Sequence, residues 1–60
     1  MLTEERFNII LKTVESKKAV TVQELTELLG SSESTVRRDL TALHEMGLIN
    51  KVHGGATAVD

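Results

Sequence analysis

Residues 21–43 read TVQELTELLGSSESTVRRDLTAL, and this segment carries two helix starts with a helix stop between them. Glu24 follows Thr21 by three residues, which is the spacing of a capping box that begins a helix at the next position. Gly30 is typical of a helix end, because glycine adopts a positive φ at little steric cost. Ser32 then stands where a second cap is needed. The segment therefore predicts a helix of about two turns, a tight turn and a longer helix.

The longer helix has a clear apolar stripe. Val36, Leu40 and Leu43 are spaced by four and three residues, so one face is expected to point into a core, and Gly47 ends the helix. Each helical residue advances by about 100° around the axis, so the face opposite the apolar stripe points outward, and Arg37 lies at its edge. That outward face is predicted to carry Ser34, Arg38, Thr41 and Glu45.

A further helix is predicted upstream of this segment. Thr3 can cap it, and an apolar stripe of helical spacing follows, formed by Phe7, Ile10, Leu11 and Val14. No glycine comes after Lys17 and Lys18, so we expect this helix either to fray or to end on a non-glycine residue in a strained turn.

The period of the sequence changes after Gly47. Residues 48–52 and 56–59 have the short apolar patterns of strands, and the glycines of His53-Gly54-Gly55 between them favour a turn. A hairpin of two short strands is marginal alone, so residues 19–22 are the expected third strand.

These elements predict one fold class, mainly α with a small β-hairpin, in a three-helix winged helix-turn-helix. The domain is predicted to span residues 3–58, with the helix-turn-helix motif at about 20–39 and the wing at about 48–59.

Composition narrows the functional classes. Sixty residues allow one domain. The absence of cysteine excludes a disulfide. A zinc site is disfavoured, because only two histidines and the carboxylates could supply its ligands. No signal peptide or apolar run of membrane-spanning length is visible. We therefore expect a soluble, cytoplasmic protein without a metal, a cofactor or a membrane partner.

The charge is arranged locally. A formal net charge of −2 counts against nucleic-acid binding, yet residues 35–59 hold three cations against Asp39 and Glu45. Arginine and hydroxyl side chains at the outward start of the third helix suit base edges in the major groove of DNA, and its free N–H groups suit a phosphate. The candidate DNA-binding residues are Thr21, Ser32, Ser34, Thr35, Arg37, Arg38, Lys51 and His53.

Other interpretations remain open. Asp39 lies beside the buried stripe. We prefer an ion pair within the chain, which fixes an arginine or braces the first helix, to a contact with DNA, because phosphates repel a carboxylate. The acidic net charge favours a winged helix that binds only proteins, whereas the hydroxyl-plus-arginine face opposes it. An enzyme is disfavoured, because no nucleophile–base pair or metal cluster is present.

Two motifs occur in a fixed order along the chain. They are Ser32-x-x-Thr35-Val36-Arg37-Arg38-Asp39-Leu40 and, after Leu43 and Gly47, Val52-His53-Gly54-Gly55-Ala56. The residues upstream that fit the same pattern are Arg6, Ile9-Ile10, Val20-x-Val22-x-Glu24-Leu25 and Leu28. Together these residues resemble the DeoR-type winged helix-turn-helix over about residues 3–58. The sequence departs from that pattern at Lys17-Lys18, where a glycine is frequent, and at Lys51, where arginine is common.

The resemblance implies a function. It implies the N-terminal domain of a bacterial transcriptional regulator that binds a double-stranded DNA operator, as a repressor of sugar or nucleoside metabolism genes. Repression would be relieved by a phosphorylated metabolite bound to a C-terminal effector domain that is absent from this chain. The isolated domain is expected to be a monomer, the full-length protein a homo-oligomer, and its location the bacterial cytoplasm, at the nucleoid through DNA binding.

Overall fold

The structure, a computed structural model, describes residues 1–59 and confirms a mainly helical winged helix-turn-helix. The elements in chain order are α1 Thr3–Lys17, β1 Ala19–Thr21, α2 Val22–Leu29, α3 Glu33–Glu45, β2 Ile49–Val52 and β3 Gly55–Ala58. None of these helices is both long and apolar enough to cross a bilayer.

One apolar core joins all six elements. Its buried side chains are Ile10, Val14, Val20, Val22, Leu25, Leu29, Val36, Leu40, Leu43, Ile49 and Ala56. The predicted stripe of α3 is buried as expected, whereas Phe7 and Leu11 of α1 pack only at the margin of the core.

Both helix starts of the central segment are capped as predicted. Thr21 Oγ1 accepts a hydrogen bond from the Glu24 N–H at 3.0 Å, and Ser32 Oγ accepts one from the Thr35 N–H at 3.2 Å. The prediction for α1 is wrong by one residue: Thr3 is already helical, and the cap position belongs to Leu2, whose N–H donates to Glu5 Oε1 at 3.2 Å.

The first helix ends on a residue with an uncommon backbone. Lys18 has φ 69°, a left-handed conformation, and its N–H donates to the Val14 carbonyl at 2.7 Å. Of the two expected outcomes, the helix therefore adopts the strained turn without glycine. In the next helix the end is conventional, with Gly30 at φ 64°.

The three strands form one antiparallel sheet in the order β1-β3-β2. The predicted third strand is confirmed, although Val22 already belongs to α2. Because β3 is central, its pairing with β1 ties the wing hairpin to the segment between α1 and α2. The register opposes Val20 to Ala56 in one pair of strands and Lys51 to Ala56 in the other.

The two wing glycines have different physical roles. Gly54 has φ 77° and provides the turn, and its carbonyl accepts a hydrogen bond from the Val22 N–H at 2.9 Å. Gly55 is buried against β1, where a Cβ atom would overlap the carbonyl oxygen of Val20. The sequence pattern predicts both glycines as turn residues, and for Gly55 the reason is instead this backbone contact.

Gly55→Ala should destabilise the domain by about 2–3 kcal/mol, because the new methyl group must push β3 away from β1. Gly54→Ala is the matched control, since no atom beyond its two chain neighbours lies within 4 Å of the position that its methyl group would take. Only the positive φ is penalised there, by about 1 kcal/mol. Urea unfolding followed by circular dichroism measures both free energies. Equal losses would contradict the close-approach explanation.

Candidate nucleic-acid interface

The outward side of α3 carries polar groups opposite its buried side. Val36, Leu40 and Leu43 face the core, whereas Ser34 and Arg38 are exposed and Thr41 is half-buried. This is the placement that the helical spacing predicts. What these side chains bind remains a prediction.

The side chain of Arg38 has no partner within the described chain. Among residues 1–59, no salt bridge or side-chain hydrogen bond engages its guanidinium. Ser34 lies one turn earlier on the same face and is also exposed. An unpaired guanidinium beside a hydroxyl offers up to five N–H donors in a planar fork, the geometry that suits a guanine edge or a phosphate.

Arg37 occupies the flank of α3 that faces the wing. Its Nη2 lies 2.6 Å from Glu33 Oε1, in a pair one helical turn apart with both side chains more than half exposed. Such exposed pairs contribute only about 0.3–0.5 kcal/mol, so a stronger anion can displace Glu33. Arg37 also lines a cleft of about 210 Å³ between α3 and the wing, together with Lys51 and His53.

Lys51 contacts α3 through both its backbone N–H and its side-chain ammonium. The backbone N–H of Lys51 donates to His44 Nδ1 at 3.1 Å, and its Nζ donates to Thr41 Oγ1 at 2.8 Å. The sequence pattern places Lys51 on the wing and gives neither His44 nor Thr41 a role with it. Helical spacing puts Thr41 and His44 on one flank, but only the folded wing reveals their partner.

The start of α3 is more occupied than the sequence suggests. Ser32 Oγ donates to Thr35 Oγ1 at 3.0 Å in addition to capping the helix, and Thr35 is half-buried. Thr21 is exposed as the cap of α2 and lies beside the wing turn, where it lines a shallow cleft with His53. The predicted residues thus lie on adjoining surfaces of α3, the wing and the start of α2. Among residues 1–59, the exposed side chains of Ser34, Arg38 and His53 have no hydrogen-bond or salt-bridge partner.

Asp39 forms the predicted ion pair within the chain. Its side chain is buried, and Arg6 of α1 donates from Nε to Oδ2 at 2.6 Å and from Nη2 to Oδ1 at 3.3 Å. The hydrogen bond to Asp39 raises the pKa of the Arg6 guanidinium above its ordinary value, and the attraction between the charges acts in the same direction. The pair braces α1 against α3 and compensates the charge of a buried carboxylate.

No metal-binding cluster accompanies this surface. Across residues 1–59, no group of three or more histidine, cysteine, aspartate or glutamate side chains could hold an ion. Of the two histidines in this region, His44 accepts a hydrogen bond from the wing backbone, and His53 is exposed in the wing turn.

The Arg6–Asp39 pair should respond unequally to removal of its two members. Arg6→Ala leaves a buried carboxylate without a partner, whereas Asp39→Ala leaves a guanidinium that can turn to water. We expect Arg6→Ala to lower the urea midpoint more than Asp39→Ala does. Chemical unfolding of both variants checks this, and a greater loss from Asp39→Ala would contradict it.

Comparison with known proteins finds a helix-turn-helix family and transcriptional regulators. The family model for the DeoR-like helix-turn-helix domain matches residues 6–60. The chain is 50% identical over 56 residues to an uncharacterized HTH-type transcriptional regulator, FruR, of Bacillus subtilis, covering 93% of this chain and 22% of that protein. It is 50% identical over 52 residues to the HTH-type transcriptional regulator GolR of Listeria innocua, covering 87% and 20%.

A third relative has a name that specifies repression. The lactose phosphotransferase system repressor of Streptococcus mutans is 43% identical over 56 residues, covering 93% of this chain and 22% of that protein. The chain thus spans about a fifth of the length of the curated relatives it matches. No solved structure gives a significant match.

Proposed function

The chain belongs to the DeoR-like helix-turn-helix family, and from this we propose that it binds double-stranded DNA sequence-specifically as the DNA-binding part of a transcriptional regulator. In this proposal α3 enters the major groove and the wing approaches the flanking backbone. Ser34, Thr35 and Arg38 contact base edges, and Arg37, Lys51 and the start of α3 contact phosphates. Ser32 and Thr21 hold the helix starts beside the DNA backbone, and His53 meets it from the wing.

One observation carries the proposal: the Arg38 guanidinium, unpaired among residues 1–59, lies on the exposed side of α3, opposite the buried stripe. A single arginine in bidentate contact with guanine discriminates by about 1–3 kcal/mol, so a small domain needs few such contacts to be selective. The outer face of α3 carries hydroxyls and charges rather than the apolar anchors that protein interfaces prefer.

The biological role follows the names of the relatives. A relative is named as a repressor of a lactose phosphotransferase system, and we propose that this chain likewise represses genes of sugar or nucleoside metabolism. Its mechanism would be steric: bound copies of an oligomeric full-length regulator block transcription in the bacterial cytoplasm. A phosphorylated metabolite bound outside this chain would release them.

The isolated domain should bind DNA weakly. A single module of this size buries about 600–1,000 Å² on DNA, and the affinity should fall steeply as salt rises, because each phosphate contact releases counterions. The full-length oligomer would gain affinity by placing two such domains on neighbouring half-sites.

An amide NMR titration with a short mixed-sequence duplex at low salt tests the proposal. Shifts concentrated at residues 32–38 and 51–55, fading with added salt, are expected from docking through α3 and the wing. Shifts confined to α1, or none, would contradict DNA binding and favour a protein partner instead.

Arg38→Ala should relax base preference. Loss of the arginine side chain removes a base contact worth about 1–3 kcal/mol at one position of the preferred site, while the affinity for other sequences falls much less. Affinity measured by fluorescence anisotropy over a panel of singly substituted duplexes, made from a selected site, reports the change.

Lys12→Ala is the charge-matched control for Arg38→Ala, because Lys12 is exposed on α1 and lines a groove between α1 and α2. It should leave base preference intact. An equal loss on every duplex from Arg38→Ala would assign Arg38 to a phosphate rather than to a base.

A further inference from the structure

Lys51 of β2 makes two hydrogen bonds to side chains of α3. Its backbone N–H is held by His44 Nδ1 and its ammonium by Thr41 Oγ1, at 3.1 and 2.8 Å. Both acceptors stand on the same flank of α3, three residues apart. The whole length of the Lys51 side chain therefore lies across the gap between strand β2 and the helix.

The Thr41 hydroxyl has defined donor and acceptor roles. Its single proton is donated to the Arg37 carbonyl at 3.0 Å, so the remaining lone pairs face the Lys51 ammonium. A hydroxyl fixed in this way is an oriented acceptor for a cation. The Arg37 carbonyl, one helical turn earlier, fixes its orientation.

The Lys51 contact differs in kind from two other cation contacts of the chain. Lys17 and Arg37 are paired with the carboxylates of Glu24 and Glu33, which cancel their charges locally. Thr41 is neutral, so it orders the Lys51 ammonium without cancelling its charge. An ammonium has three N–H donors, and this hydrogen bond uses one of them.

We propose that Thr41 is a positioning residue that holds the Lys51 ammonium on the flank of α3, ready to contact a DNA phosphate. The proposal rests on the proposed function, DNA binding through α3 and the wing. Thr41 acts through Lys51, and His44 fixes the strand from which Lys51 projects.

The physical benefit is a smaller entropy loss on binding. A lysine side chain has four rotatable bonds, and immobilising it at an interface opposes association. Because Thr41 already restricts the side chain in the free protein, less freedom is lost when a phosphate arrives. A charge that is ordered but not neutralised is the state that favours a salt-dependent contact.

Thr41→Val tests the idea, because valine keeps the branched shape and removes the hydroxyl. Thr41→Ser is the matched variant, since it retains the hydroxyl and loses only a methyl group. We expect Thr41→Val to weaken binding to a duplex about three- to tenfold and Thr41→Ser to restore most of the affinity. Thermal unfolding of both variants confirms that each is folded, and Thr41→Ala provides a second hydroxyl-free variant if valine disturbs the helix.

A double-mutant cycle with Lys51→Met separates positioning from a direct or purely structural role. Lys51→Met should lower the slope of log affinity against log salt by about one, because one phosphate contact is lost. In that background Thr41→Val should have almost no further effect on affinity, since Thr41 would have no ammonium to hold.

The outcomes distinguish the two proposals. Additive losses in the cycle, an unchanged Thr41→Val affinity, or tighter binding by Thr41→Val would each overturn the positioning role while leaving DNA binding intact. A wild-type chain that binds no duplex at low salt would overturn the proposed function, and the role of Thr41 with it.

Discussion

The close approach of β3 to β1 at Gly55 is the contact on which the arrangement of the domain depends. The two backbones lie so near that a Cβ atom would overlap the Val20 carbonyl oxygen. On one side of this contact the Gly54 carbonyl accepts from the first N–H of α2, and on the other the Ala58 N–H donates to the Lys18 carbonyl after α1. β3 and the turn before it therefore set the wing relative to α1 and α2, and Lys51 of β2 sets it relative to α3.

The charged side chains of α3 and of the wing residue Lys51 differ in how they are paired. Asp39 points inward and is compensated by Arg6, Arg37 is loosely paired with Glu33, Arg38 is unpaired among the described residues, and Lys51 is ordered by a neutral hydroxyl. A chain with a net charge of −2 thus presents cations on its outward helix while its central anion is compensated inside. The bulk charge, which argues against nucleic acid in the sequence, averages over residues that do not share this surface.

Spacing and turn residues in the sequence predict the order and type of the helices and strands. They do not predict the contacts between parts of the chain that are distant in sequence. The caps at Thr21 and Ser32, the buried stripe of α3 and the third strand all follow from spacing and turn chemistry. The requirement for Gly55 and the bonds of Lys51 to Thr41 and His44 depend on how β3 and β2 lie against the rest, which no local pattern encodes. The position of the outward face was predictable, whereas the degree to which its members are already engaged was not.

The central position of β3 also fixes the order in which the molecule can be completed during synthesis. β1 and β2 both pair with β3 and not with each other, yet β3 is made after the other five elements. Until residues 55–58 have left the ribosome, neither β1 nor β2 has the strand with which it pairs. The hydrogen bonds of the three-stranded sheet are therefore the last of the domain that can form.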